Sequence, residues 1–504
     1  MYYGHSEGSW ERHLMMRARQ ILGTLLVFVL GGLATAATEE VDYFAVVLDG
    51  AKVGYAMHSR SEEGARVVTT ETVNMTISRL GIPITIATKE TSIETTDGRP
   101  LGFEVEQDLG IMGMKTAGTV SRDGVVTVKT GQQESRMQWV NGAVMAEGLR
   151  LFVLKKGLKE GAGYTVKLFS PGLMAAVDAN VLVGAKQNID LFGRVVPLTK
   201  VETTLSVPGM SEIPSVSFVN EEFRALKSTM SVAGMKVELV GCEKEFALGD
   251  IDTLEIVNKM FLASPEPIKN ARSAKAIAYL LRPEKEAGDF VIPEGDNQRV
   301  QKTDDGSLMV VVEPVAAPRR AGFPYRGADK TILDATKPTR FLQSDNKEII
   351  KLANQAVGNT KDAAEAARRI EAFVADYVDD ISFSVGYASA AEVAASRQGD
   401  CSEFAVLTAA LCRAAGIPAK VVMGVAYVDD FAGLQGFGGH AWVEAYIGDK
   451  WVGLDAAFKK SGRGGFDAGH IALATGDGEP GSFFNLAATL GRFKIEKVMV
   501  NSGK

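Results

Sequence analysis

The sequence predicts an α+β protein in which an antiparallel β-rich domain precedes a domain that begins with helices and ends in a second antiparallel sheet. Residues 41–250 contain stretches rich in Val, Ile, Thr and aromatic residues, separated by Asp-Gly turns. From residue 341 onwards, apolar residues first recur at helical spacing and then in strand-like runs. The chain has 504 residues, too many for one compact core, which indicates several domains.

The first 37 residues have the pattern of an export signal. Arg17 and Arg19 precede an uncharged apolar run over 21–37, and Ala34-Thr35-Ala36 fits a small-residue cleavage site. The run is also long enough to span a bilayer, so a retained anchor is the alternative. We predict that residues 1–37 are a signal peptide or an N-terminal anchor. The protein is then periplasmic or secreted, with a membrane tether in the second case.

Residues 38–250 are predicted to form the antiparallel β-rich domain. Asp49-Gly50, Asp97-Gly98 and Asp123-Gly124 are typical of tight turns between neighbouring antiparallel strands. Residues 147–156, "EGLRLFVLKK", predict one short helix. His58 is the histidine of this domain, and we expect it at the surface.

Residues 251–340 change in composition and predict a small β module or linker. "SPEPIKNARS" is rich in turn-forming residues, whereas "SAKAIAYLLRP" and "SLMVVVEPVAAP" are strand-like.

Residues 341–504 are predicted to form the functional domain. Asp345 with Glu348 resembles a capping box at the start of one helix, and Thr360 is expected to cap the next. A third helix begins at Cys401 and is stopped by "GIP" at 416–418. The strands "AKVVMGVAYV", "HAWVEAYI" and "KWVGLDAAF" follow.

Cys401 stands at the first turn of its helix, directly after the expected N-cap Asp400. Unpaired backbone N–H groups and the positive end of the helix dipole favour a thiolate at such a position. We expect one inward apolar stripe on this helix, made of Phe404, Ala405, Thr408, Leu411, Cys412 and Ala415. Cys401 extends that stripe to the end of the helix, where it faces the neighbouring sheet.

The three cysteines are an odd number, so at least one thiol is unpaired within the chain. Cys401 and Cys412 lie on one helix, about 16 Å apart in rise, and cannot bridge each other. A disulfide between Cys242 and Cys412 is one alternative, and burial of both as small apolar residues is the other.

A thiolate nucleophile needs a base, and the base needs a group that orients it. His440 opens "HAWVEAYI", and Asp455 lies in "KWVGLDAAF" after a tight turn at 448–449. A two-residue hairpin there pairs Ile447 with Lys450 and places Trp442 opposite Asp455. His440 is then diagonal to Asp455 on the same face, about 7–8 Å apart at the backbone. The pattern therefore allows Cys401, His440 and Asp455 to converge as a catalytic triad.

"GDCSEFAVLTAALCRAAGIPAKVVMG", "HAWVEAYI" and "WVGLDAA" resemble, in the same order, the three blocks of the transglutaminase-like superfamily. The resemblance covers about residues 341–458. It implies a papain-like α+β core in a bacterial exported protein, with Cys401 as nucleophile, His440 as base and Asp455 as orienting group. Lys420 stands where the family usually has Arg. Ala456-Ala457 replaces Pro-Thr, which we expect to loosen the strand end that holds Asp455.

Three functions follow from this pattern. The first is a cysteine hydrolase of peptide or side-chain amides, the second a protein-crosslinking transamidase, and the third a catalytically silent peptide-binding module. The expected partner is a protein or peptide, and the net charge of −7 gives no reason to expect nucleic acid.

The chain offers neither a spaced Cys/His set nor an H-E-x-x-H motif, so we predict no metal, and we predict no cofactor. We expect His470, in a loop-like context, to be structural or exposed. The backbone N–H of Cys401 is one candidate oxyanion donor, with Gln398 or Tyr387 as candidates for a second.

Overall fold

The computed structural model describes the chain from residue 40 to residue 502, with gaps. The described residues are 40–79, 82–108, 113–131, 133–206, 212–232, 234–255, 261–284, 290–381, 388–431, 434–478, 486 and 489–502. The predicted signal peptide or anchor at 1–37 lies outside them. The chain divides into two compact units between residues 256 and 257.

The first unit is built from strands that follow one another along the chain. They are β1 Glu40–Leu48, β2 Ala51–Glu63, β3 Arg66–Arg79, β4 Ile82–Thr95, β5 Pro100–Asp108, β6 Gly113–Val120, β7 Val125–Thr130, β8 Gln133–Gln138, β9 Ala143–Val144, β10 Gly163–Ser170, β11 Ala175–Leu191, β12 Arg194–Ser206, β13 Ile213–Val219, β14 Ala225–Val232 and β15 Met235–Cys242. The helices are α1 Ala146–Lys156, which agrees with the predicted short helix, and α2 Lys244–Leu248.

The described strands of this unit form one sheet in the order β8-β7-β6-β5-β4-β3-β2-β1-β15-β14-β13-β12-β11-β10-β9. Two antiparallel meanders, β1–β8 and β10–β15, therefore join where β1 pairs with β15, and the two-residue strand β9 pairs in parallel with β10 at one edge. The predicted Asp-Gly turns are confirmed. At the first of them Asp49 and Gly50 both have positive φ angles, 48° and 89°, as a type I′ hairpin requires. The predicted β-rich domain is thus an antiparallel sheet.

Helix α1 begins without a side-chain cap from its own N-cap residue, Met145. Glu94 from strand β4 takes that role, because its carboxylate accepts hydrogen bonds from the backbone N–H groups of Glu147 (2.6 Å) and Gly148 (2.9 Å). Glu94 is completely buried, so a carboxyl group distant in sequence satisfies two backbone N–H groups of the helix start that have no partner within the helix.

The prediction that His58 lies at the surface is wrong. His58 is only 5% exposed, and its Nδ1 atom lies 2.5 Å from Oε1 of Glu71 on the neighbouring strand β3. Strand alternation separates the two faces of a sheet, but it does not say which face other elements cover.

The second unit is α+β. Its strands are β16 Phe261–Ala263, β17 Ala276–Pro283, β18 Gln298–Lys302, β19 Leu308–Val312, β20 Asp380–Ile381, β21 Gln398–Gly399, β22 Ala419–Phe431, β23 Leu434–Ile447, β24 Lys450–Leu454, β25 His470–Gly476 and β26 Phe493–Asn501. Its helices are α3 Lys330–Asp334, α4 Lys347–Val357, α5 Ala363–Tyr377, α6 Ala390–Ser396, α7 Cys401–Ala414 and α8 Ala456–Lys460.

One sheet of this unit has the order β16-β23-β22-β25, and β24 also pairs with β23. A second sheet has the order β18-β19-β17-β26. Of the two strands predicted in the 251–340 segment, β17 pairs with the last described strand of the chain, β26, and β19 pairs with the other edge of β17. Helix α7 packs on β22 and β23 and also contacts α4, α5, α6 and α8, so it forms the centre of the unit.

Two predicted helix caps are wrong by one or two positions. Asn346, not Asp345, caps α4 by accepting a hydrogen bond from the backbone N–H of Glu348. Asp362, not Thr360, caps α5, because its carboxylate accepts from the backbone N–H of Glu365. At each helix start, several neighbouring residues have side chains that can cap a helix, and the local sequence does not show which of them does so.

Among the described helices, none combines the length and the hydrophobicity that a membrane-spanning helix needs.

Candidate active site

Cys401 is the first residue of helix α7, as predicted, and the start of this helix is held by a capping box. The Asp400 carboxylate accepts a hydrogen bond from the backbone N–H of Ser402 (2.8 Å), and Glu403 accepts one from that of Asp400 (2.9 Å). Glu403 also accepts from the backbone N–H of Ala388 (3.0 Å). Cys401 is 2% exposed, so its thiol occupies a rigid, buried helix terminus.

The residues of the expected inward stripe are buried except Ala415, but every other residue from 401 to 413 is buried too, so this helix has no solvent-facing side there. The surrounding helices and the sheet cover α7 on all sides. Cys412 is completely buried, and burial raises the pKa of its thiol to about 12. Cys412 and Cys242 are both free thiols in the structure, and Cys242 is only partly buried, so the expected burial of both holds for Cys412 alone.

His440 lies in the middle of strand β23, with Gly424 of β22 opposite it. The predicted hairpin register is confirmed, since Ile447 pairs with Lys450 and Val443 with Leu454. This register carries the chain to Asp455 directly after β24. The structure brings His440 and Asp455 together: Nε2 of the imidazole lies 2.7 Å from Oδ2 of the carboxylate, and both side chains are almost fully buried.

Asp455 has a second task as the N-cap of helix α8. Its Oδ1 atom accepts a hydrogen bond from the backbone N–H of Phe458 (2.9 Å), and its own backbone N–H donates to Glu371 (2.8 Å). The expected loosening at Ala456-Ala457 is therefore wrong. These two residues begin α8, and the cap fixes the carboxylate that they follow.

The carboxylate of Asp455 is ionised. Burial alone would raise its pKa, but His440 and His470 outweigh burial and hold the pKa well below its usual range. Because the carboxylate is an acceptor, Nε2 of His440 carries the proton in this hydrogen bond. Nδ1, on the other edge of the ring, is then the basic nitrogen that can exchange a proton with a nucleophile.

His470 is part of this site, which the sequence did not indicate. It is 1% exposed, so of the two alternatives expected for it, structural or exposed, the exposed one is wrong, and its Nε2 atom lies 3.0 Å from the same Oδ2 of Asp455. Its Nδ1 atom lies 3.0 Å from Oδ1 of Asp467. Burial opposes the charge on His470, but Asp467 and Asp455 outweigh it and raise its pKa to about 9. His470 is therefore an imidazolium at neutral pH.

Aromatic rings enclose the two imidazoles. The centre of the Phe458 ring lies 4.5 Å from the centre of the His440 ring and 4.8 Å from that of the His470 ring. The ring centres of Trp442 and Phe466 lie 5.1 and 4.8 Å from the centre of the His470 ring. This shell keeps water from the hydrogen bonds around Asp455, so the electrostatic interactions there are stronger than at the surface.

His440, Asp455 and His470 could also hold a metal ion. Their ligand atoms all lie within 4.8 Å of one another, and two imidazoles with one carboxylate are a donor set that transition metals accept. The sequence predicted no metal, because these three residues have none of the short spacings of familiar metal motifs.

Lys420, the departure from the usual Arg, is held by two contacts. Its ammonium forms an ion pair with Glu444 (2.9 Å) and lies 4.5 Å from the centre of the Trp451 ring. Of the candidate oxyanion residues, Tyr387 lies outside the described residues. Gln398 begins the two-residue strand β21, which pairs in parallel with β20 just before Cys401.

The comparisons with known proteins identify the class of domain that contains this site. Residues 350–456 match the family model of the transglutaminase-like superfamily. The chain therefore contains a transglutaminase-like domain, and the matched range includes Cys401, His440 and Asp455 but ends before His470. The comparison with curated proteins found no match.

Three solved structures are similar to parts of the chain. A cysteine-protease-like protein from Cytophaga hutchinsonii has 21% identity and a TM-score of 0.30, over 45% of this chain and 85% of the other. A β-barrel-like protein of a domain of unknown function from Brucella abortus has 13% identity and a TM-score of 0.35, over 42% of this chain and 98% of the other. The periplasmic domain of TgpA from Pseudomonas aeruginosa has 15% identity and a TM-score of 0.25, over 40% of this chain and 91% of the other. TM-scores this low define neither a shared fold nor a shared function.

Proposed function

We propose that this protein is an exported, transglutaminase-like cysteine hydrolase that cleaves peptide or side-chain amides through an acyl-enzyme on Cys401. The observation that carries the proposal is the buried hydrogen bond that Asp455 makes with His440, a residue of the strand β23 against which the Cys401 helix packs. A nucleophile at a helix start, a base and an oriented carboxylate are the three parts that acyl transfer needs.

In the first half of the reaction, the thiolate of Cys401 attacks the amide carbonyl carbon and a C–S bond forms. Nδ1 of His440 holds the proton of the former thiol and passes it to the leaving amine as the C–N bond breaks. Asp455 keeps the imidazole in the required tautomer and stabilises its charged form. The backbone N–H of Cys401 is our candidate for stabilising the negative charge on the carbonyl oxygen.

In the second half, His440 accepts a proton from water, and the resulting hydroxide attacks the thioester. The C–S bond breaks, the product leaves as a carboxylic acid and the thiolate of Cys401 forms again. If a lysine amine attacks in place of water, the product is a crosslinking amide instead. Both reactions share the acyl-enzyme, so transamidation remains the alternative within this proposal.

We include His470 in the proposal as a positioning residue. Its imidazolium lies 3.0 Å from the carboxylate oxygen that also contacts His440. A fixed cation there holds Asp455 in place and prevents its rotation when His440 becomes charged during the reaction. The Asp467 carboxylate on the other side of His470 supports this charge.

We further propose that the protein acts outside the cytoplasm on protein or peptide substrates, not on nucleic acid. The N-terminal segment at 1–37 and the net charge of −7 support this part. N-terminal sequencing of the exported protein is expected to begin near Ala37 or Thr38. An intact, membrane-retained N-terminus would instead establish the anchor.

The function is tested by incubating the purified exported form with a proteome-derived peptide library and analysing the products by mass spectrometry. Hydrolysis predicts cleavage or deamidation that is absent in the Cys401→Ala variant. Crosslinks between glutamine and lysine residues would favour the transamidase. If wild type and Cys401→Ala give identical products, the domain is a catalytically silent peptide-binding module and the proposal fails.

A further inference from the structure

Glu371 places a carboxylate on the buried face of helix α5. It is 6% exposed, and its neighbours on that face, Ala367, Ile370 and Val374, are completely buried. Burying a charged group is costly unless polar partners compensate it, and an apolar residue of similar volume often gives a core of equal or greater stability. Packing alone therefore does not explain a carboxylate at this position.

Both oxygens of the Glu371 carboxylate contact the start of helix α8. Oε1 accepts a hydrogen bond from the backbone N–H of Asp455 (2.8 Å). Oε2 lies 3.3 Å from the ammonium of Lys459, one turn after Asp455. Lys459 is half-buried, whereas the bond to Asp455 is fully buried. Glu371 thus attaches the residue that caps α8 to helix α5.

A third segment, the loop that leads to His470, packs against the same carboxylate. Gly465 has a φ angle of 109°, and a Cβ atom at this residue would lie 3.0 Å from Oε1 of Glu371 and 3.9 Å from the carbonyl oxygen of Asp455. Glycine is the residue that accepts both this backbone conformation and so close an approach. The carboxylate is therefore enclosed by α5, by the start of α8 and by this loop.

The side chain and the main chain of Asp455 are held by different partners. Its carboxylate oxygens contact His440, His470 and the backbone N–H of Phe458. The paired register of β23 and β24 ends one residue earlier, at 454, so the strand ladder does not extend to the backbone N–H of Asp455. Glu371 is the acceptor of that N–H.

We propose that Glu371 is a positioning residue of the Cys401 site. It holds the main chain of Asp455, so that the Asp455 carboxylate stays within hydrogen-bonding distance of His440. This inference rests on the proposed function. A displacement of about 1 Å at a catalytic group can lower a rate about 10²-fold, so one backbone contact is enough to control turnover. Glu371 acts through Asp455, so we expect kcat and not KM to depend on it.

Two substitutions separate the acceptor oxygen of Glu371 from its charge. Glu371→Leu has a similar volume and no acceptor, whereas Glu371→Gln keeps an oxygen for the N–H of Asp455 and loses only the charge. Both are expected to fold, because the half-buried Lys459 can turn into solvent. Glu365→Leu is the matched control, since Glu365 is a glutamate of the same helix that is 38% exposed. Circular dichroism checks the fold of each variant.

Steady-state kinetics on one cleaved peptide measures the effect. We expect Glu371→Leu to lower kcat about tenfold or more with KM changed less than about twofold, while Glu371→Gln and Glu365→Leu keep at least about half of the wild-type kcat. If Glu371→Leu does not fold, Glu371→Asp replaces it with the same expected loss, because its side chain keeps the charge but is one methylene shorter. Wild-type kcat in folded Glu371→Leu, or equal losses in Glu371→Leu and Glu371→Gln, would overturn the proposal.

A measurement that needs no turnover distinguishes failure of this proposal from failure of the proposed function. The proton of the His440–Asp455 hydrogen bond is followed by NMR as the low-field resonance that His440→Ala lacks. We expect this resonance to be lost or shifted in Glu371→Leu and retained in Glu371→Gln and Glu365→Leu. This pattern in a protein that cleaves no peptide supports the positioning by Glu371 and rejects the proposed function. An unchanged resonance in folded Glu371→Leu would overturn the positioning role, whether or not peptide is cleaved.

Discussion

The Nε2 atom of His470 lies 3.0 Å from Oδ2 of Asp455, the same oxygen that lies 2.7 Å from Nε2 of His440. One carboxylate oxygen therefore serves two imidazoles. Only one of them, His440, belongs to the matched family range, whereas His470 comes from strand β25 beyond it. The arrangement makes the role of each histidine separately testable.

His470→Ala removes the second donor to Asp455 and leaves Asp467 without its imidazolium. We expect it to lower kcat by about tenfold or more, because the orienting carboxylate gains rotational freedom, while KM changes little. His470→Gln keeps a side-chain N–H donor in a similar place and should restore much of the activity. Steady-state kinetics on one cleaved peptide measures both variants.

His440→Ala is the comparison for that pair and should abolish turnover, since it removes the base itself. If His470→Ala proves as damaging as His440→Ala and His470→Gln rescues nothing, His470 is the base and our assignment of the two histidines is wrong.

Asp455→Asn should separate folding from catalysis. Asparagine is as good an N-cap as aspartate, so helix α8 and the fold should be retained. Asparagine carries no charge to stabilise the imidazolium of His440, so we expect kcat to fall by a factor of about 10² to 10⁴. Circular dichroism and kinetics together measure this, and near-normal turnover in a folded Asp455→Asn protein would contradict the triad.

The metal-compatible geometry of His440, Asp455 and His470 gives a further test. If Cys401 is the nucleophile, excess chelator leaves the amidase rate unchanged. Added Zn²⁺ should inhibit, because it would occupy the imidazole nitrogens that hold and move protons. Loss of activity on chelation, with recovery on readdition of metal, would show that a metal and not the thiolate drives the reaction.

Glu94 predicts how the stability of the first unit depends on pH. Burial raises the pKa of this carboxyl group to about 7, although hydrogen bonds from the α1 backbone oppose the shift. A raised pKa in the folded state means a contribution to stability that is complete below the unfolded pKa of about 4.5 and lost as pH rises through 7.

Glu94→Gln lacks this titration. Relative to the variant, the wild type should lose up to about 3 kcal/mol of unfolding free energy between pH 4.5 and pH 7.5, the equivalent of a shift of this size. Differential scanning calorimetry across that range measures it, with the exposed Glu160→Gln as control. A stability difference between wild type and Glu94→Gln that stays constant with pH would refute the buried titration.

The parts of the fold that were predictable from sequence are those with local causes. The N-cap at Asp400 and the 447–450 hairpin each depend on a few adjacent residues, and the hairpin register alone was enough to bring His440 near Asp455. The Asp-Gly turns of the first unit are local in the same sense.

The parts that were missed depend on contacts between distant segments. His470 reaches Asp455 because β25 pairs with β22, so Ala426 faces His470 across more than forty intervening residues. His58 is buried on the face of the sheet that helix α1 covers. Neither contact follows from a periodic pattern in the sequence. Asp467, three residues before His470, was a weak signal that this histidine is paired with a carboxylate.

The central claim is that Cys401 is a thiolate nucleophile that depends on His440, and covalent labelling tests it most directly. The protein is treated at neutral pH with a peptide that carries a chloroacetamide group, and the labelled residue is located by mass spectrometry. Cys412 is the internal control, because its raised pKa of about 12 keeps it a thiol. We predict rapid labelling of Cys401 alone, which is slowed at least tenfold in His440→Ala. Labelling of Cys412 or Cys242 instead, or equal labelling of Cys401 in wild type and His440→Ala, would contradict the account.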